Sequence, residues 1–286
     1  MPQPALHLLL ARQTLDRWRS GTGAPFDLDS DLAVNAFLHG SLGPDMGNFP
    51  GGSTPLARLV HRRRTGDVQR ALLAGAQSDA GRAYALGWLS HIIADVLIHP
   101  LVNEVAATLT PGAGYTISEH VRVEVGLDVW FCCDQPSLEG LRLRPAFDRT
   151  GYAPLASALN DVAGAGVVPA QLVQMERGLM MFSHAALHFA RSVARQLCWR
   201  EDVAVRTPLG SAIVWHLTTA LSPRASVIHA YLNPLVPGPS LVGRVQDALA
   251  KFQPEYDAAV ADGAQSLPNY NLEDGTITTE DDLRAA

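Results

Sequence analysis

Thiols, lysine and strand-like alternation are all scarce in this chain, and each scarcity removes a class of protein. The cysteines are Cys132, Cys133 and Cys198. An odd count with two adjacent members does not build a disulfide framework, and it lacks the spaced thiol pairs of a structural zinc site. Buried thiols in a reducing, cytoplasmic compartment are expected. Lys251 is the only lysine, and 22 Lys+Arg against 28 Asp+Glu leave a net charge of −6. A stable nucleic-acid partner calls for a basic surplus, so none is expected. Charged residues make up 17% and hydrophobic residues 47%, a balance that excludes disorder as the overall state. Met1–Leu10 has no basic start, so no secretory leader is read there. The most apolar window, Ala85–Val102, is about as long as a short membrane span but carries His91, Asp95 and His99. Three such groups are costly in hydrocarbon, and no transmembrane segment is expected.

What is present is helical periodicity. Apolar residues recur at three-and-four spacing over 3–19, 30–39, 54–76, 79–99, 117–133, 153–163, 168–200, 208–221 and 239–262. Gly and Pro cluster between these stretches, as in Gly43-Pro44 and Pro50-Gly51-Gly52. Asp29 or Ser30 is placed to cap the second helix and Ser53 the third. The expected fold is all-α, a single multi-helix domain enclosing a polynuclear metal site. Residues 1–200 are read as its body and 201–262 as a C-terminal helical extension, with a weak break near 201–207. Residues 263–286 are polar and acidic, with few large apolar side chains, and are read as a loosely ordered tail.

The metal reading comes from the histidines. His91 and Asp95 lie four apart, and His120 and Glu124 repeat that spacing in the helix 117–133. Residues four apart share a helix face, so both side chains of a pair can reach one ion. His99 follows Asp95 by four, just before Pro100; proline disfavours helix in its predecessor, which puts His99 at the helix exit. Either pair alone is as compatible with a surface pair or a core histidine. However, Ile92, Ile93, Val96, Leu97 and Ile98 surround Asp95, so that helix should be buried, and a buried carboxylate between histidines needs a cationic partner. His and carboxylate ligands without thiolate point to zinc, with manganese or iron as less fitting choices. A carboxylate can also bridge two ions.

In order along the chain stand His7; Phe37-Leu38-His39-Gly40-Ser41-Leu42-Gly43-Pro44-Asp45; His61; Leu86-Gly87-Trp88-Leu89-Ser90-His91-Ile92-Ile93-Ala94-Asp95; His99; and His120-x-x-x-Glu124. This succession resembles the zinc-dependent phospholipase C family, all-helical enzymes related in fold to S1/P1-type nucleases. The resemblance covers roughly residues 1–135 and extends more weakly to about 200. It implies two or three zinc ions. One would be held by Asp45, His61, His91 and Asp95, a second by His99, His120 and Glu124, and a third by His7 and a bridging Asp95. It also implies that Asp45 is the general base on an attacking water. The sequence departs from the pattern in three ways. Secreted members offer the amine of a processed N-terminal Trp to the third ion, whereas here Met1 precedes His7 by six residues; water or a side chain such as His39 would complete that shell. The Asp95-to-His99 spacing is four against six in the secreted enzymes. No stretch matches a choline-headgroup pocket, so a lipid substrate rests on the resemblance alone.

Further residues are weighed beside this set. Arg62, in Arg62-Arg63-Arg64, is a candidate for phosphate contact, against a solvated basic patch as the plainer reading. Asp128 shares a face with Glu124 and is a candidate to orient a ligand histidine. Asn103 and Tyr115 are expected to face the site. His184 and His188 read as core histidines. The function expected is metal-dependent hydrolysis of a small-molecule or lipid phosphodiester. The alternatives are a lyase, cyclase or amide hydrolase using the same metals, or a metal-stabilised protein without activity.

Overall fold

The computed structural model describes residues 4–21, 23–49, 51–109, 117–132, 135–139, 141–147, 151–196 and 234–279. The helix expected over 208–221, the break near 201–207, Tyr115, Cys133 and Cys198 lie outside these residues.

The fold is all-α. Among the described residues it comprises α1 (Pro4–Ser20), α2 (Asp31–Gly40), a 3₁₀ turn (Gly43–Asn48), α3 (Thr54–Arg62), α4 (Thr65–Gly75), α5 (Asp79–Leu109), α6 (Ile117–Cys132), a short 3₁₀ turn (Pro136–Leu138), α7 (Tyr152–Ala163), α8 (Pro169–Gln196) and α9 (Pro239–Ala261). One antiparallel hairpin follows, β1 (Tyr270–Asn271) on β2 (Thr276–Ile277), pairing Tyr270 with Ile277 and Asn271 with Thr276. Ser30 and Ser53 cap α2 and α3 by accepting from the backbone N–H groups of Ala33 and Leu56.

α5 is the central element. It is long and apolar enough to cross a membrane, yet 78% of its apolar window is buried inside the protein. α2 lies directly on it. A Cβ on Gly40 would strike the Tyr84 carbonyl, and one on Gly87 would strike the Phe37 carbonyl, so two facing glycines allow the backbones to touch. α9 covers another side: the Tyr256 hydroxyl donates to the Leu86 carbonyl at 2.9 Å. Trp18, Phe26, Phe37 and Tyr256 form one aromatic cluster between α1, α2 and α9.

Three expectations need correction. The helix expected over 54–76 is two helices, because Arg63 and Arg64 leave helical geometry between α3 and α4. α5 does not stop at His99 but continues through Pro100 to Leu109. The lost Pro100 N–H leaves one carbonyl, that of Val96, without its helical donor, and a long packed helix tolerates one such defect. The acidic segment read as a loosely ordered tail folds, over 263–279, into turns and the hairpin, with Leu272 fully buried. Burial of Ala264, Leu267 and Leu272 and a set of hydrogen bonds dock it. Thr65 Oγ1 accepts from the Tyr270 N–H at 2.6 Å, Asn269 Oδ1 accepts from the Asp67 N–H at 3.0 Å, and the Arg70 guanidinium donates to the Leu267 carbonyl at 2.6 Å. A hydropathy pattern does not register bonds of this kind.

Candidate metal centre

Five elements converge on one buried region. α1 brings His7, the first 3₁₀ turn Asp45, α3 His61, α5 His91, Asp95 and His99, and α6 His120 and Glu124. None of these eight residues is more than 6% exposed. They form three groups: Asp45, His61 and His91; His7, His91 and Asp95; and His99, His120 and Glu124. Within each group one ligand atom per residue lies within 4.8 Å of the others. The Asp95 carboxylate reaches into all three, lying 3.2 Å from His7 Nε2, 3.0 Å from His91 Nε2 and 3.6 Å from His99 Nε2.

Each element delivers its ligand for a local reason. The three ligands of α5 lie along one stripe because they are four apart. Asp45 sits in a tight 3₁₀ turn started by Gly43-Pro44, and the Asn48 amide holds its Oδ1 at 3.1 Å. α6 sets its His120 and Glu124 side by side, 2.8 Å apart. The imidazoles of His7 and His91 stack at 4.1 Å.

The histidine tautomers test whether this set fits a metal. His61 Nδ1 lies 2.9 Å from the Ala57 carbonyl and His91 Nδ1 2.9 Å from the Ser41 carbonyl. His99 Nδ1 meets the Leu272 carbonyl, and His120 Nδ1 lies 2.8 Å from Asn103 Oδ1. Each acceptor requires the proton on Nδ1, which leaves Nε2 as a lone pair. That lone pair then faces a carboxylate: His61 Nε2 is 3.0 Å from Asp45 Oδ1, and His99 Nε2 is 3.1 Å from Glu124 Oε1. Two lone pairs at that separation repel unless a proton or a cation lies between them. Asp45 Oδ2, His61 Nε2, His91 Nε2, Asp95 Oδ2 and His99 Nε2 are buried without a hydrogen-bond partner, an arrangement that is costly unless a cation satisfies it. The donor set fits zinc.

A model of the zinc-dependent phospholipase C family matches residues 6–158, more than half of the 286 residues. The chain belongs to this family. No curated protein and no solved structure matches it. The family match ends well before α9 and the hairpin.

The carboxylates and imidazoles of the centre shift one another's protonation. Burial would push Asp95 up, but His91, His99 and His7 together hold it well below the usual carboxylate range. Glu124 is likewise lowered, with burial outweighed by His120 and His99. His99 carries the compensating proton: burial opposes its charge, yet Asp95 and Glu124 raise it to about 9. His120 is lowered, chiefly by burial. A cavity of about 20 Å³, lined among others by His7, Asp95, His99, Glu124 and Asp128, lies among these groups. It has room for an ion or a water.

Three further candidates sit differently from expectation. Asp128 does not hold a ligand histidine. Its two oxygens accept from the backbone N–H groups of Ala5 and Leu6, each at 3.0 Å. It therefore caps the start of α1 and fixes the helix that carries His7. Burial and the nearby Glu124 push it up to about 8, although both amide bonds favour its charge. His39 completes no metal group among the described residues. Its Nε2 bonds to the Arg144 carbonyl and its Nδ1 faces Glu176 at 3.6 Å. Burial lowers it to about 4 despite the carbonyl bond. That second buried cluster also includes Tyr152, whose hydroxyl donates to Glu176, and the Ala146 N–H, which donates to Glu176 at 2.5 Å. It ties the 144–147 segment to α2 and α8. Arg62 makes a bidentate pair with Glu273, at 2.8 and 2.7 Å, on the exposed side of α3. His184 is half-buried on α8 and lowered mainly by burial.

Two participants were not legible in advance: the Ser41 carbonyl that orients His91, and residues 272–273 beside His99 and Asn103. Both act through the backbone, which carries no residue-type signal.

Proposed function

We propose that this chain is a zinc-dependent hydrolase of phosphodiesters, a cytoplasmic enzyme acting on a small-molecule or lipid ester, with no nucleic acid as a stable partner. The observation that carries the reading is the set of buried imidazole Nε2 atoms aimed at carboxylate oxygens and without a hydrogen-bond partner, in a chain of the zinc-dependent phospholipase C family. Zinc supplies Lewis acidity, lowering the pKa of water toward neutrality and screening the negative charge of a phosphate ester. His61, His91 and Asp45 would hold one ion, His7 and Asp95 another, and His99, His120 and Glu124 a third.

The chain's own residues divide the remaining work. Asp45 has one oxygen fixed by Asn48 and the other without a partner. That second oxygen is suited to orient an attacking water and take its proton. Asp95, within reach of all three groups, sets their spacing. The carbonyls of Ala57, Ser41 and Leu272 keep Nε2 as the donor atom of their histidines.

The test is elemental analysis of protein purified without added metal, followed by a panel of diesters: bis(p-nitrophenyl) phosphate, phosphatidylcholine vesicles, and linear and cyclic nucleotide diesters. Two or three zinc ions per chain and chelator-sensitive cleavage of one panel member are expected. Bound zinc with no diester cleaved would turn the reading to a lyase, cyclase or amide hydrolase on the same centre.

A further inference from the structure

The C-terminal hairpin lies more than a hundred residues beyond the end of the family match, yet it makes contacts of a particular kind at the metal centre. The Leu272 carbonyl takes the Nδ1 proton of His99. The next carbonyl, of Glu273, accepts from the Asn103 amide, and Asn103 Oδ1 in turn takes the Nδ1 proton of His120. The Leu272 N–H donates to the backbone carbonyl of His61 at 2.6 Å. Two consecutive residues thus hold the rings of both histidines in one metal group, and they also grip the backbone of a histidine in another.

The hairpin is fastened on both sides of this contact. Thr278 Oγ1 donates to the Arg62 carbonyl at 3.0 Å, and Glu273 pairs with the Arg62 guanidinium. At the turn, Gly275 has φ of +74° and lies against α5; a Cβ there would come within 2.9 Å of Pro100 Cγ and 3.0 Å of the Val96 carbonyl oxygen. That carbonyl is the one freed by Pro100. The break in the helical bonding of α5 therefore coincides with the place where the hairpin seats.

We infer that the hairpin is a positioning element of the zinc centre: Leu272, Glu273 and, through the latter, Asn103 set the tautomer and orientation of His99 and His120 and so tune the ion these two share with Glu124. The inference rests on the centre holding zinc and not on any substrate. Outer hydrogen-bonding partners of this kind are typically worth 10–100-fold in metal affinity. Here Leu272 and Glu273 come from outside the matched region and Asn103 from within it, so the affinity of this ion is set in part by chain that the family pattern does not include.

The experiment uses full-length protein and measures zinc per chain and zinc affinity by chelator competition, alongside the thermal midpoint of the zinc-free form. Three variants are compared with the parent. Gly275→Val lifts the hairpin from α5. Asn103→Leu removes the acceptor for His120. Asn103→Asp keeps that acceptor while losing the donor to Glu273. Gly275→Val and Asn103→Leu should weaken the ion of His99, His120 and Glu124 by about 10–100-fold, and Asn103→Leu should leave the others at parental affinity. Asn103→Asp, which keeps the acceptor for His120 but cuts the bond to Glu273, should recover only part of the loss seen in Asn103→Leu. Unchanged zinc affinity in both Gly275→Val and Asn103→Leu overturns the inference. So does a loss spread evenly over all ions in step with a lowered midpoint, which marks a merely structural hairpin. A parent chain that binds no zinc removes the centre itself, and that outcome is distinct from the first two.

Discussion

The proton on His99 makes zinc binding at its group steeply pH-dependent. In the zinc-free protein Asp95 and Glu124 outweigh burial and raise His99 to about 9. The other two members of that group need no proton change near neutrality: His120 is lowered and Glu124 sits below the usual carboxylate range. Zinc requires a bare Nε2, because Nδ1 is committed to the Leu272 carbonyl. Filling this group below pH 9 therefore expels one proton. The raised pKa favours the zinc-free, protonated form at low pH, so affinity must rise with pH and level off above about 9. Between pH 9 and pH 7 the cost is about 2.7 kcal/mol, or roughly 100-fold, at 1.36 kcal/mol per unit. The assay is chelator competition from pH 6 to pH 9.5, with proton release followed by an indicator dye. His120→Ala, which disables this group, serves as the reference. The parent should release one more proton per chain than the variant at pH 7, and the difference should vanish near pH 10. Equal release at pH 7 would refute the assignment of the compensating proton to His99.

Other perturbations follow from the same geometry. Asp95→Asn removes a carboxylate within reach of all three groups; bound zinc should fall by at least one per chain, and diester cleavage by more than the roughly 10–100-fold that an outer partner is worth. Asp128→Ala strands the buried N–H groups of Ala5 and Leu6 and should cost about 2 kcal/mol in urea denaturation. Asp128 also has a signature in pH: because its folded pKa is raised to about 8 from 3.8, the folded state binds the extra proton, and its contribution to stability declines as pH rises from about 4 to about 8. The variant should lose that component of the stability–pH curve. Gly87→Ala drives a methyl into the Phe37 carbonyl and should destabilise by about 1–3 kcal/mol or more; since it parts α2 from α5, it should also loosen the Ser41 carbonyl from His91, seen as weaker zinc binding.

The division between legible and illegible features has a physical cause. The all-α class and the pairs His91/Asp95 and His120/Glu124 could be read from sequence because helical geometry imposes its period within a few residues. The chemistry of the ligand set was legible for the same reason: residue type and local spacing together mark a metal site, and the family resemblance points to zinc. Partners met across distance were not. Asp128 looked like a support for a histidine because it shares a helix face with Glu124, but α1 docks its open N-terminus there, 122 and 123 residues away in sequence. His39 sits in the stretch that leads to Asp45, yet its ring turns to Arg144 and Glu176. Pro100 marked a helix end by its local preference, and tertiary packing carried the helix past it.

The residues that can hold zinc, their types and their order along the chain were determined by the sequence itself, because helix periodicity converts spacing into shared faces. Which nitrogen of His91, His99 and His120 faces the ion was decided only by the tertiary structure. The acceptors that fix it are the carbonyls of Ser41 and Leu272 and the amide of Asn103, whereas His61 meets the Ala57 carbonyl within its own helix. Every residue of the chain has a backbone carbonyl, so no residue type announces the one that will lie beside an imidazole when the chain has folded.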